Sequence, residues 1–208
     1  MKKKTKNINV CFFIFARKGS KGLKNKNIKT IQNKSLFEHS INFAKKLKMG
    51  EVVISSNIDK IENYCKKNKI FFIKRPTKLA SSKSEELLSW KHALRQFEKL
   101  SKKNVDIFVS LPPVSPLRNI DYLKKAIEKI QNDAVDMVVS TIESDIKPNF
   151  NLFLKKKNRL TTFNNIKKTY QRQSSSCTLV VPNFYVCKRK YVLSTKNIFN
   201  GKIYPLCK

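Results

Sequence analysis

The segment VCFFIF at residues 10–15 is apolar at every position. No other feature narrows the possible folds so far. A strand with one wet face alternates polar and apolar side chains, whereas a strand apolar throughout is covered on both faces. Further strand-like runs at 51–55, 70–73, 105–111 and 134–142 alternate with helical stripes. Ser35 reads as an N-cap ahead of Leu36, Ile41 and the 43–47 stretch. Helices are predicted at 58–68, at 84–100 with Leu87, Leu88, Ala93, Leu94 and Phe97 on one side, and at 120–131. Strands separated by helices in this way predict an α/β fold, a mostly parallel sheet with helices on both faces. Ligands of such folds bind beyond the carboxyl ends of the strands, where the loops 16–27 and 111–118 fall. After Pro148 the pattern changes. Residues 149–163 read as a small antiparallel arm and 179–186 as a returning strand.

A length of 208 residues suits one such domain, predicted over residues 8–208 behind a flexible basic tail at 1–7. The formal net charge is +31, from 45 Lys+Arg against 14 Asp+Glu, and such a charge attracts polyanions. The lysines are spread along the whole chain, with no nucleic-acid-binding motif and no aromatic platform in the basic loop. The reading is therefore a general lysine bias with no specific nucleic-acid partner. Five cysteines at 11, 65, 177, 187 and 207 include no CxxC pair, and Cys11 reads as a buried thiol. A reduced, cytoplasmic protein is expected. No apolar run reaches the ~20 residues that span a bilayer, so no membrane association is expected.

The loop after the first strand is ARKGSKGLKNKN at 16–27. It holds Arg17, Lys18, Lys21, Lys24 and Lys26 with two glycines and Ser20. Gly19 and Gly22 allow a tight turn and close ligand approach, and exposed N–H groups in such a turn bind anions. Arg17 and Lys26 are placed to neutralise charge growing on a transferring phosphoryl group. The loop matches neither GxxxxGK[ST] nor GxGxxG. Composition alone leaves two readings open, a phosphate cradle and a lysine-rich surface turn.

This segment resembles the signature of the acylneuraminate cytidylyltransferases, the CMP-nonulosonate synthetases, which runs roughly [IL]-[PL]-A-R-x-G-S-K-x-x-x-x-K-N. Ala16, Arg17, Gly19, Ser20, Lys21, Lys26 and Asn27 match it. Further stretches follow in the family's order: VISS at 53–56, KRPTKLAS at 74–81, HAL at 92–94, LPPVSPLR at 111–118, QRQ at 171–173 and NFYV at 183–186. The resemblance covers about residues 8–206.

The resemblance implies a Rossmann-like nucleotidyltransferase fold and attack of a sugar's anomeric hydroxyl on the α-phosphate of CTP. It implies catalytic roles for Arg17 and Lys26, and nucleotide contacts from Ala16, Gly19, Ser20, Lys21, Asn27, Arg75, Ser81 and Ser115. Arg172 and Gln173 would reach the carboxylate of an acidic nine-carbon sugar, where a guanidinium fits well, or form an exposed polar turn. On this reading residues 149–186 supply the arm and the sugar-side elements. The arm is either exchanged in a homodimer or folded as a local hairpin. Arg118 is expected to be a structural ion-pair residue, His92 a packed or hydrogen-bonded helix residue, and Trp90 core or pocket wall.

The sequence departs from the family pattern at Asn57, where an acidic residue is usual, and at Pro112 and Val114 of the second loop. It departs again at Glu86, which replaces a base-contacting serine and would change nucleotide preference or face solvent. The resemblance also implies Mg²⁺, held by late aspartates. This sequence has no DxD and ends at Lys208, so an apparently truncated member without metal ligands of its own is expected. Two alternatives stand beside the synthetase reading. One is an inactive homologue or basic nucleotide- or nucleic-acid-binding protein on the same scaffold. The other is a cytidylyltransferase for a different acid sugar.

Overall fold

The structure, a computed structural model, describes residues 8–19, 22–23, 25–81, 84–146, 153–156, 159–162 and 177–207. The chain begins with strand β1 (Val10–Ala16), a 3-10 turn at Lys26–Ile28, a small hairpin of β2 (Thr30–Ile31) and β3 (Lys34–Ser35), and helix α1 (Leu36–Leu47). Strand β4 (Gly50–Ser56), helix α2 (Asp59–Lys67), strand β5 (Phe71–Lys74) and the short helix α3 (Thr77–Ala80) follow. Helix α4 (Glu86–Ser101), β6 (Ile107–Ser110), α5 (Ile120–Asn132) and β7 (Met137–Ser144) continue the alternation. Beyond them lie a hairpin of β8 (Phe153–Lys156) and β9 (Arg159–Thr162), then β10 (Cys177–Lys188), α6 (Arg189–Ser194) and β11 (Ile203–Cys207).

Among the described residues seven strands form one sheet in the order β11-β7-β10-β6-β1-β4-β5. The pairs β1–β4, β1–β6, β4–β5 and β7–β11 are parallel, and β10 runs antiparallel between β6 and β7. The predicted returning strand is this β10, longer at both ends than the sequence suggested, with a register shift between Val180 and Tyr185. The predicted antiparallel arm corresponds to the β8–β9 hairpin, and the remainder of 149–163 lies outside the described residues.

The continuous apolar reading of β1 has a direct structural cause. Phe12 and Ile14 join one buried cluster with α1, α2 and α5. Cys11 and Phe13 join a second with α4 and α6. Each helix contributes an apolar stripe: Phe37, Ile41 and Ala44 on α1, Leu87, Ala93, Leu94 and Phe97 with Trp90 on α4, Leu123, Ile127 and Ile130 on α5. Leu88, expected on the same side of α4, is 46% exposed instead, because it lies one position round the helix from Leu87 and outside the buried stripe. Burying a large apolar side chain contributes about 1.5–3 kcal/mol, so these two layers are the main force holding the sheet between its helices. Ser35 stands at the N-cap of α1, where the Glu38 carboxylate accepts the Ser35 backbone N–H at 2.7 Å.

Close packing of β1 on β4 depends on one missing side chain. Gly50 opposes Val10 in register, and a Cβ at Gly50 would stand 1.9 Å from the Val10 carbonyl oxygen. The obstacle is backbone, so neither strand can yield without losing ladder bonds. Gly50→Ala is expected to cost about 1–3 kcal/mol, the range for overpacking, measured as a lower urea-unfolding midpoint at unchanged slope.

Candidate active site

Loops at the carboxyl ends of β1, β5 and β6 meet in a cleft of about 540 Å³. Its walls include Arg17, Lys26 and Asn27 from the first loop, Arg75 and Ser81 after β5, Glu86 and Ser89 at the start of α4, and Pro112, Pro113 and Val114 after β6. Tyr185 of the antiparallel strand closes it.

The first loop is held by its own side chains. Asn27 is buried, and its amide donates to the Arg17 carbonyl at 3.1 Å, tying the two ends of the loop together. The Lys18 backbone N–H donates to Asn57 Oδ1 at 2.8 Å, anchoring the loop to the end of β4. Asn57, where the resemblance implies an acidic residue, thus acts as a neutral loop clasp. Gly19 has φ +77°, a conformation that strains any L side chain. Arg17 Nη1 donates to the Ala80 carbonyl at 3.2 Å, joining this loop to the segment after β5.

Arg75 lies under the cleft, 6% exposed. Its backbone N–H donates to the Ser56 carbonyl at 2.8 Å, its Nε donates to Ser55 Oγ at 3.4 Å, and its guanidinium sits 5.3 Å from the Phe15 ring centroid. Burial draws it down to about 10, with Glu86 opposing the shift and Arg17 adding to it. It therefore stays charged at neutral pH. Glu86 meets solvent at the cleft but is densely surrounded by protein. Burial pushes its carboxyl above the ordinary range, while a hydrogen bond from Trp90 and the charge of Arg75 oppose that rise. Glu86 is the one carboxylate among the described residues lining the cleft, against Arg17, Lys26 and Arg75. The balance favours an anion.

The structure brings Arg17, Lys26, Asn27, Arg75 and Ser81 to one cleft. Ala16 is buried as the last residue of β1, paired with Ser56. Ser115 Oγ donates to the Pro182 carbonyl at 2.7 Å and so ties the second loop to β10. Ser20, Lys21, Arg172 and Gln173 lie outside the described residues. Arg118 is structural, but its partners are not the expected carboxylate. It donates to the carbonyls of Asn183 and Pro112 and to Ser40 Oγ, because neutral backbone acceptors surround it where acidic residues are scarce. Trp90 is 1% exposed, both core and cleft support. His92 is half-buried with its Nδ1 unpartnered among the described residues. Sequence reasoning missed Ser110, whose fully buried hydroxyl lines the cleft. Its one signal was a serine closing the apolar run of β6.

Among the described residues no three His, Cys, Asp or Glu side chains converge as a metal site, so they do not build a cage for the Mg²⁺ that the resemblance implies. A larger groove of about 1000 Å³ lies beside α1 and residues 116–119, lined by Lys34, Lys45, Lys46 and Lys48. It holds none of the first-loop residues. The smaller cleft, at the strands' carboxyl ends, is the one that gathers the motif side chains.

Known proteins agree with this architecture. The family model described as cytidylyltransferase matches residues 11–193. The chain is 29% identical over 189 residues to post-translational flagellin modification protein B of Campylobacter coli, spanning 89% of this chain and 80% of that protein. It has the same identity and coverage with CMP-N,N'-diacetyllegionaminic acid synthase of Campylobacter jejuni. It is 27% identical over 194 residues to N-acylneuraminate cytidylyltransferase of Streptococcus agalactiae, spanning 91% of this chain and 46% of that protein. Among solved structures, CMP:2-keto-3-deoxy-manno-octonic acid synthetase complexed with CTP superposes with a TM-score of 0.68 at 13% identity, over 96% of this chain and 90% of that one. That likeness supports the nucleotidyltransferase fold.

Proposed function

We propose a specific transfer for this chain, which belongs to the cytidylyltransferase family. It moves the cytidylyl group of CTP to the anomeric hydroxyl of a sialic-acid-like nonulosonic acid, giving the CMP-sugar and pyrophosphate. The observation that carries this reading is the convergence of Arg17, Lys26 and Arg75 on one cleft. The sugar class is supported by two similar proteins whose names specify a legionaminic acid and an N-acylneuraminate.

The sugar oxygen attacks the α-phosphorus, the bond from that phosphorus to the bridging oxygen of the β-phosphate breaks, and pyrophosphate leaves with the bond's electron pair. The hydroxyl proton passes to solvent. Arg17 and Lys26 face the triphosphate, where preorganised cations stabilise the charge that gathers as the bond breaks. Asn27 keeps the Arg17 backbone in place through its amide. Arg75, deeper in the wall, holds the nucleoside end. Mg²⁺ is proposed to arrive with the nucleotide phosphates. The proposed partners are CTP, an acidic nine-carbon sugar and a second copy of the chain. Among the described residues no helix is long and apolar enough to cross a membrane.

Pyrophosphate release tests this, with CTP, Mg²⁺ and a panel containing N-acetylneuraminate, N,N'-diacetyllegionaminate and an eight-carbon ulosonate. Release that requires CTP and one nine-carbon acid is expected. Release with the eight-carbon acid alone would replace the substrate class, and CTP binding without release in any mixture would sink the synthetase reading.

A further inference from the structure

We propose that Glu86 selects cytosine over uracil, its carboxylate accepting a hydrogen bond from the exocyclic amino group of the base. This rests on the nucleotide-site reading above and adds a residue that reads the base.

The inner wall of the cleft carries unmet hydrogen-bonding capacity. Arg75 Nη2, Ser84 Oγ and Ser110 Oγ are buried without a partner among the described residues, and all three residues line this cleft. Buried polar groups are nearly always hydrogen-bonded. Three unpartnered ones on one wall therefore point to a ligand with a polar edge. Arg75 and Ser110 are 6% and 0% exposed, so only a group that enters the cleft can reach them.

Glu86 stands beside that wall and is held in place. It is the first residue of α4, and one turn later Trp90 Nε1 donates to its Oε1 at 3.2 Å. Trp90 is fixed in turn, its ring centroid 5.3 Å from those of both Phe108 and Tyr185. Oε2 of Glu86 accepts no hydrogen bond among the described residues. A carboxylate is a poor neighbour for phosphates, so its place in an otherwise cationic cleft calls for a donor on the ligand.

The chemistry of the pair selects the base. Arg75 offers donors, and Glu86 offers an acceptor. The pairing edge of cytosine presents an amino donor beside the acceptors N3 and O2, which is complementary to such a pair. Uracil presents the acceptor O4 where cytosine has its amino group, and an ionised carboxylate repels it. Acidic side chains read cytosine in nucleic acids through the same amino group. Pro112, Pro113 and Val114 add an apolar part to the lining of the same cleft.

The experiment compares Kd for CTP and UTP by calorimetry in the parent, Glu86→Gln and Glu86→Ser, each checked by near-UV circular dichroism. The parent is expected to prefer CTP. Glutamine keeps the shape but presents either an oxygen or an amino group, so Glu86→Gln is expected to lower the CTP/UTP preference about tenfold or more. Glu86→Ser, which removes the carboxylate altogether, provides the same reading if the glutamine variant fails to fold. An unchanged preference in a folded variant, whether both nucleotides bind normally or weaken together, overturns the role of Glu86 and leaves the nucleotide site standing. A folded parent that binds neither nucleotide overturns the nucleotide-site reading itself, and this proposal with it.

Discussion

Arg17→Ala and Lys26→Ala are each expected to lower kcat/KM for CTP about 100- to 1000-fold, the range for losing one preorganised donor to developing charge. Both side chains are half-buried in the cleft, and neither takes part in an ion pair among the described residues. The Arg17 side chain makes a single hydrogen bond among the described residues, to the Ala80 carbonyl. Neutralising either removes little that holds the fold together, so the unfolding midpoint is expected to stay near that of the parent. The loss should fall mainly in kcat, because a charge that matters most as the bond to the leaving pyrophosphate breaks acts on the transition state rather than on bound CTP. Arg17→Lys is expected to recover only part of the activity, since an ammonium cannot hold the Ala80 carbonyl and a phosphate oxygen with one planar fork. Values within threefold of the parent in both alanine variants would remove these residues from the reaction.

Much of this cleft was legible in the sequence because its positions are fixed by local chemistry. A fully apolar β1 demands helices on both faces, and the cationic glycine loop then falls at the carboxyl edge of the sheet. The interior helix stripes were mostly plain, since Leu87, Ala93, Leu94 and Phe97 fall on one side of α4 and share one buried cluster, while Leu88 of the same expected stripe faces solvent. Glu86 and Trp90 are four residues apart, which places them side by side on a helix. The hydrogen bond between them follows from that spacing.

The rest depends on partners distant in sequence. β11 was not legible. IYPLC is short and contains Pro205, which argues against a strand, yet it pairs with β7 at the sheet edge, where a missing N–H is tolerated. The insertion of β10 between β6 and β7 is likewise set by tertiary pairing and not by its own pattern. Ser115 matched the motif, but a motif cannot show that its hydroxyl turns to the Pro182 carbonyl, 67 residues away. Arg118 followed the same logic. With 14 acidic residues in 208, an ion pair was a poor expectation for a half-buried arginine in a loop rich in carbonyls.

Arg118→Met is expected to destabilise the protein by about 2–4 kcal/mol. Two effects oppose one another. Burial draws Arg118 down to about 10, so its charge is held at a cost that an apolar side chain relieves. Against this, methionine, which replaces only the apolar stem of arginine, removes one donor from each of three acceptors. Nε donates to the Asn183 carbonyl at 2.9 Å, Nη1 to Ser40 Oγ at 3.2 Å, and Nη2 to the Pro112 carbonyl. The Pro112 carbonyl keeps a second donor, the Ser115 N–H at 3.3 Å, but the bond to the Asn183 carbonyl and the tie to α1 are lost. Each acceptor left unmet costs about 1–3 kcal/mol, so the loss exceeds the relief. Arg118→Lys separates charge from geometry: it restores the cation but only one of three directions, and is expected to regain less than half of the lost stability. Because no carboxylate among the described residues takes part, the deficit should not change between low and high salt, as that of an exposed ion pair would. The same fork holds Pro112, which with its neighbours Pro113 and Val114 lines the cleft that also holds Glu86. Loss of Arg118 should therefore also weaken CTP binding at temperatures where the protein remains folded. A deficit fully repaired by lysine and erased by salt would instead make Arg118 a simple charge.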